Sequence, residues 1–184
     1  MSWTIERDSN NSGDIDKLKK ALKIASDKGI LLFCSTPDKD QDNQSDTHFP
    51  IQCDHSIKKF RAGAATQDGS LWKKASNPAD FILPGGNIGI RKGDPDLRGS
   101  NVLKPGSSIA TALAAGLAAL IIYCVRLGRV TVREFQRIQE HEYMKEAFEH
   151  IGRSGGKSDG NYVRIGVESF FKKLSQNFTE PSED

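Results

Sequence analysis

The sequence predicts an α/β fold, a parallel sheet with helices packed against it. Three features predict it. A short apolar run at residues 30–34, bounded by turn signals, has the pattern of a buried parallel strand, and residues 58–65 and 80–83 read as further strands. An amphipathic helical pattern over 14–28 leads directly into the first of these, so strand, helix and strand form a right-handed crossover unit. The uncharged stretch 109–125 follows a Pro-Gly turn and reads as a helix apolar on every side.

Taken in order, residues 2–5 read as the end of a strand. Over 14–28, Ile15, Leu18, Leu22 and Ala25 share one face, Lys17, Lys19, Lys20 and Lys23 form a solvated one, and Gly29 stops the helix. Residues 36–56 form a polar loop. Its alternating Asp38, Asp40, Asp42 and Asp46 lack the glycine and glutamate that a calcium loop places at its sixth and twelfth positions, so the loop reads as solvated and no metal site is expected. Residues 91–105, with Gly93, Pro95, Gly99 and Pro105, form an exposed loop before the apolar helix. In that helix Ala110, Ala114 and Ala118 make a stripe of small residues that lets it approach a sheet closely. A buried core helix and a membrane span both fit the segment by composition, although about 17 residues is short for a span.

Beyond Leu127, Thr131-Val132-Arg133-Glu134 is a capping box. The apolar stripe changes face between Ile138 and Tyr143, which predicts two helices, 132–139 and 141–151. A Gly/Ser-rich linker spans 152–161. Its Gly155-Gly156-Lys157-Ser158 is not a phosphate loop, because the earlier glycine is out of register and no strand precedes it. Val163, Val167, Phe170, Phe171, Leu174 and Phe178 recur at helical spacing, and 179–184 is an acidic tail expected to be disordered. The expected organisation is a domain over 1–127, a helical extension over 128–178 and the tail.

Composition narrows the function classes. With 26 Lys and Arg against 24 Asp and Glu, the net charge of +2 gives no nucleic-acid footprint. The three cysteines, Cys34, Cys53 and Cys124, lack metal-ligand spacing. Cys34 and Cys124 fall in apolar runs and are expected to be buried thiols. An odd cysteine count and the lack of a leader pattern after Met1 point to a reducing, cytoplasmic compartment. His48, His55, His141 and His150 all read as surface histidines, and His141-Glu142 is not a zinc motif because Lys145 stands where a second histidine is needed.

Residues 106–116, Gly-Ser-Ser-Ile-Ala-Thr-Ala-Leu-Ala-Ala-Gly, carry the strongest chemical signal. They set a serine at the start of a helix, where the first N–H groups lack intrahelical partners and the dipole favours negative charge. An oxyanion forming beside Ser108 would meet donors already aimed at it. The stretch resembles the Gly-Thr-Ser-x-Ala-Thr-Pro-x-x-Ala-Gly block of subtilisin-like serine peptidases, with Ser107 for Thr and Ala112 for Pro. Further blocks resemble that family in its order: Met1-Ser2-Trp3, the run 29–38 ending at Asp38, Phe49-Pro50, Gly63-Ala64-Ala65, and Leu83-Pro84-Gly85-Gly86-Asn87-Ile88.

The resemblance implies a partial subtilisin-like parallel sheet, the C-terminal half of a catalytic domain, and a serine endopeptidase acting on peptides or proteins with Ser108 as nucleophile. It implies no cofactor. Asp38 falls where the family places the asparagine that donates to the oxyanion; an ionised carboxylate accepts and does not donate. Ser35, Thr36 and Pro37 fall along the primary specificity pocket. The family's Asp and His blocks should precede Ser108 in chain order and are absent from this sequence. The expectation is therefore a chain that begins inside a domain, completed by an N-terminal half, with unpaired strand edges and exposed apolar surface when alone. The alternative is an inactive remnant that acts as a protein-binding module. Neither nucleic acid nor membrane is an expected partner.

Overall fold

The computed structural model describes residues 1–38, 47–66, 69–72, 79–86, 106–128, 130–155 and 163–165. The elements run β1 (Ile5–Glu6), α1 (Ser12–Asp27), β2 (Phe33–Ser35), β3 (His48–Phe49), β4 (Phe60–Ala65), β5 (Phe81–Pro84), α2 (Ser107–Leu127), α3 (Val132–Arg137), α4 (His141–Gly155) and β6 (Val163–Arg164). Four strands form one sheet in the order β2-β4-β5-β6, every neighbouring pair parallel. This is the α/β class with flanking helices that the sequence predicts. A separate antiparallel pair sets Ile5 of β1 opposite Phe49 of β3.

The N-terminal strand end is displaced from its expected place. Met1 lies along the outer edge of β2: its nitrogen donates to the Phe33 carbonyl at 2.5 Å, and its carbonyl accepts from the Ser35 N–H at 3.2 Å. Ile5 pairs elsewhere, with β3.

Helix α1 forms as its pattern predicts. Ile15 and Leu22 are buried, and Leu18 packs against the cluster they make with Phe49, Cys53 and Ile57. Gly29 closes the helix at a φ of +74°, where a side chain would be strained. The Ile30 N–H returns to the Ala25 carbonyl at 3.0 Å.

The main core lies on the other face of the sheet. Phe33, Phe60 and Phe81 project from three neighbouring strands, and Phe148 of α4 closes over them, 5.2 Å from the Phe81 ring centroid and edge-on to it. Beside this aromatic cluster, Ala110, Ala114 and Ala118 of α2 are all but fully buried against Ala62 and Leu83. Small residues on both surfaces bring helix and sheet into close contact, as the alanine stripe predicts. The opposite face of α2 differs from the expectation of burial all round. Leu113 is 44% exposed, Tyr123 56% and Leu127 62%. By length and composition the helix is apolar enough to cross a membrane, yet its alanine stripe is seated on the sheet.

The same geometry corrects one thiol. Cys34 on β2 is buried, and burial pushes its thiol up to about 12, whereas Cys124 on the outer face of α2 is exposed. Its apolar neighbours in sequence point to burial, but its helical phase puts it outside.

The capping box forms: Thr131 Oγ1 accepts from the Glu134 N–H at 3.3 Å, and Glu134 accepts from the Thr131 N–H at 2.9 Å. Helices α3 and α4 then follow as two separate helices. Val163, expected on a helix, is on a strand. The Val163 N–H donates to the Asp80 carbonyl and the Ile165 N–H to the Ile82 carbonyl, each at 3.0 Å, which adds β6 to the sheet. Val163 and Ile165 are β-branched and flank a polar residue, a period of two that the longer helical spacing obscures. Gly152 of α4 makes the contact possible, since a Cβ there would lie 2.1 Å from Val163 Cγ1 and 2.9 Å from the Arg164 carbonyl oxygen. The proposed helical positions from Val167 onward and the acidic tail lie outside the described residues.

Two histidines expected on the surface are largely enclosed. His48 on β3 is 6% exposed, and the His141 ring stacks on Phe60 with centroids 4.3 Å apart. A flat ring at the first position of α4 covers the entry of β4, a packing role that single-sequence reading does not distinguish from a surface one.

Candidate active site

In a parallel sheet the carboxyl ends of the strands face the start of the helices that follow, and ligands bind at that edge. Here the ends of β2 and β5 converge on the first turn of α2. The Thr36 N–H donates to the Ala62 carbonyl at 3.0 Å, holding the chain against β4 one residue past β2. Pro37 ends the strand, and Asp38 turns its carboxylate onto α2. From β5, the Gly85 carbonyl accepts the Gly106 N–H at 2.8 Å. A Cβ on Gly85 would meet both Ala64 Cβ and the Gly106 carbonyl oxygen at 2.8 Å, and one on Gly106 would stand 2.6 Å from Asp38 Oδ2. The two glycines are what let these segments approach.

Ser107, the first residue of α2, is fully buried, and each of its polar groups has its own partner. Its N–H donates to the Asp38 carboxylate, 2.9 Å from Oδ2 and 3.1 Å from Oδ1. Its hydroxyl meets Thr36 Oγ1 at 2.8 Å, and its carbonyl accepts from Thr111 Oγ1 at 2.7 Å. The next residue is the opposite. Ser108 is exposed at the first turn, with its Oγ donating to the Ser2 carbonyl at 2.6 Å. Of two adjacent serines, one is locked into the core and the other presents its hydroxyl to the outside. The Ser108 N–H lies in the turn where a helix has no acceptor of its own to offer.

Asp38 supplies the negative charge at this helix end. Partial burial pushes its carboxyl above the ordinary carboxylate range, and the hydrogen bonds from Ser107 oppose that rise. As a carboxylate it acts as an N-terminal cap borrowed from another part of the chain, favoured by the helix dipole. In that state it is an acceptor only, and its two oxygens share the Ser107 N–H.

The structure thus brings Asp38 and Ser108 to one helix terminus. Ser35, Thr36 and Pro37 are buried behind that terminus, with Thr36 reaching the helix through its hydroxyl. Among the described residues no histidine is hydrogen-bonded to Ser108, and no three His, Cys, Asp or Glu side chains gather in a metal-binding group. Asp40, Asp42, Asp46 and the 91–105 loop lie outside the described residues. Sequence reading gives Ser107 and Thr111 no role. Their signal is Thr111 four residues after Ser107, the spacing at which a hydroxyl reaches back to a carbonyl.

Clefts also lie away from this terminus. An apolar groove of about 760 Å³ runs between the C-terminal half of α2 and helices α3 and α4, lined by Leu117, Leu120, Ile121, Val125, Ile138 and Ile151. A polar one near Lys59, Arg61 and His141 opens at the other edge of the sheet. There Arg61 pairs with Asp80, Nη2 to Oδ1 at 2.5 Å, while Asp80 Oδ2 accepts the Arg61 N–H at 2.8 Å.

No protein-family model and no curated protein matches the chain. Solved structures do. A lanthipeptide protease matches with a TM-score of 0.63 at 18% identity, over 95% of this chain and 60% of its own. The patellamide maturation protease PatG matches with a TM-score of 0.54 at 18% identity, over 86% of this chain and 48% of its own. The PatG macrocyclase, solved in complex with peptide, matches with a TM-score of 0.54 at 17% identity, over 92% of this chain and 50% of its own. At these identities the likeness concerns the fold, a mixed α/β arrangement consistent with the subtilisin-like fold expected from the sequence blocks. The chain spans from about half to three-fifths of the length of these structures.

Proposed function

We propose that this chain carries the nucleophile of a serine peptidase of the subtilisin-like kind, with Ser108 as the attacking residue. The observation that carries the reading is the contrast between Ser107 and Ser108. A buried serine fixes the helix start, and its exposed neighbour sits in the first turn, where its own N–H and the helix dipole favour developing negative charge. Protease relationships of the similar structures, one of them holding a peptide, support a peptide substrate.

In this reading Ser108 Oγ attacks the peptide carbonyl and gives its proton to a histidine outside these 184 residues, which an aspartate orients. The resulting oxyanion rests near the Ser108 N–H. No cofactor takes part. The exposed apolar side of α2, with Leu113, Leu120 and Tyr123, supports a further layer of polypeptide that covers the helix and brings the histidine and aspartate. Nothing in this chemistry calls for nucleic acid or a membrane, and a cytoplasmic location fits the free thiols.

A second reading is a peptide-binding module without turnover. It is favoured by Asp38, which the resemblance assigns to a donor's position and whose ionised carboxylate instead accepts from the Ser107 N–H. Hydrolysis of a fluorogenic peptide library by the protein purified from its source cells separates the two. Turnover that disappears in Ser108→Ala, with the circular dichroism spectrum retained, supports the peptidase. Peptide binding without turnover by both forms supports the module.

A further inference from the structure

Thr36 and Ser107 place a pair of hydroxyls beside a core cluster of Phe, Ala, Leu, Ile and Met. Thr36 is 1% exposed and Ser107 0%. Two hydroxyls buried together gain little net stability over apolar side chains of the same shape, because each gives up its water. What they add is direction. Apolar neighbours let a helix slide by fractions of an ångström, whereas a hydroxyl pair at 2.8 Å holds it at one place. Asp38 on the Ser107 N–H ties the same residue to the segment after β2, and Thr111, one turn further along α2, donates to its carbonyl within the helix. Two contacts from outside α2 therefore converge on the residue next to Ser108, while the Ser108 hydroxyl itself bonds to the Ser2 carbonyl.

We propose that Thr36, acting through Ser107, is a positioning residue for Ser108: the buried hydroxyl pair ties the end of β2 to the first turn of α2 and sets where the Ser108 hydroxyl and N–H stand. The inference rests on the reading of Ser108 as nucleophile. Thr36 touches no reacting atom. Its effect is on geometry at the helix start, where a displacement near 1 Å costs roughly 10²-fold in rate.

The test uses the full native protein and two readouts, the rate of fluorophosphonate labelling at Ser108 and the separate kcat and KM for a peptide. Thr36→Val keeps the shape and removes the hydroxyl; Thr36→Ser keeps the hydroxyl. The expected result is a ten- to hundredfold slower labelling and lower kcat in Thr36→Val, with KM unchanged and the rate restored in Thr36→Ser. Ser107→Ala should give a similar loss, and the double variant should be no worse than either single one. Should Thr36→Val fail to fold, Ser107→Ala against Ser107→Thr makes the same comparison. Labelling of Thr36→Val at the wild-type rate overturns the positioning role and leaves the peptidase intact. A wild-type protein that is unlabelled at Ser108 overturns the peptidase reading, and the positioning role with it.

Discussion

Thr36 and Ser107 stand 71 residues apart in the chain and meet through their hydroxyls at 2.8 Å inside the core. That contact joins the end of β2 to the start of α2. It separates two neighbouring serines into different roles, Ser107 as an anchor and Ser108 as the exposed group.

The anchor works alongside Asp38, and Asp38 has a testable cost. Its folded-state carboxyl titrates above its ordinary value because of burial. The folded protein therefore holds this proton more tightly than the unfolded chain does. Stability from this group falls as pH rises from the unfolded value, about 3.9, through the higher folded one. Asp38→Asn keeps an oxygen for the Ser107 N–H and removes the charge. Urea unfolding at pH 4 and pH 7 should show the variant losing less stability between the two than the wild type. The same variant adds an amide donor near the start of α2, and under the proposed peptidase function turnover by the native protein should rise by about 10²-fold.

The thiols should react in an order set by burial. Cys124 is exposed, while Cys34 and Cys53 are enclosed and their thiols pushed upward by desolvation. Iodoacetamide at neutral pH should modify Cys124 in the folded chain and reach Cys34 only after denaturant is added, as read by peptide mass spectrometry.

Gly152 should tolerate no side chain. Its position against Val163 and the Arg164 carbonyl leaves too little room for a methyl group, so Gly152→Ala must push β6 away from α4. A loss of about 1–3 kcal/mol is expected from chemical denaturation. Gly116, which has open space around it, is the control: Gly116→Ala should stabilise by about 0.5–1 kcal/mol through its helix propensity.

The outer face of α2 should drive self-association of the 184-residue chain by itself. Leu113, Leu120, Tyr123 and Leu127 leave an apolar stripe open to water. Sedimentation velocity should find the wild-type chain associated, and Leu113→Lys with Leu120→Lys should shift it toward a monomer. A wild-type chain that remains monomeric at high concentration would show that the stripe is harmless.

Much of the fold was readable because its periodicities are clean. The face of α1 through Ile15 and Leu22, the capping box at Thr131, and the alanine stripe of α2 all follow from local chemistry. What was hidden depends on the partner surface. Cys124 and Leu113 lie in an apolar run that looks buried all round, and only the sheet's position decides which side of the helix is covered. Val163 looked helical because the apolar residues that follow it fit that spacing, whereas its place is set by an open edge on β5. At the site, Ser108 and Asp38 stood out through motif resemblance, but the part of Ser107 and Thr36 required knowing that two distant segments meet.

The most direct measurement is fluorophosphonate labelling of the native protein in lysate from its source cells, with the modified residue located by peptide mass spectrometry. The account predicts one modified serine, Ser108, lost in Ser108→Ala, and no labelling of the isolated 184-residue chain, where among the described residues no histidine is hydrogen-bonded to Ser108. Labelling at another residue, or none in the native protein, would contradict the assignment of Ser108 as a nucleophile.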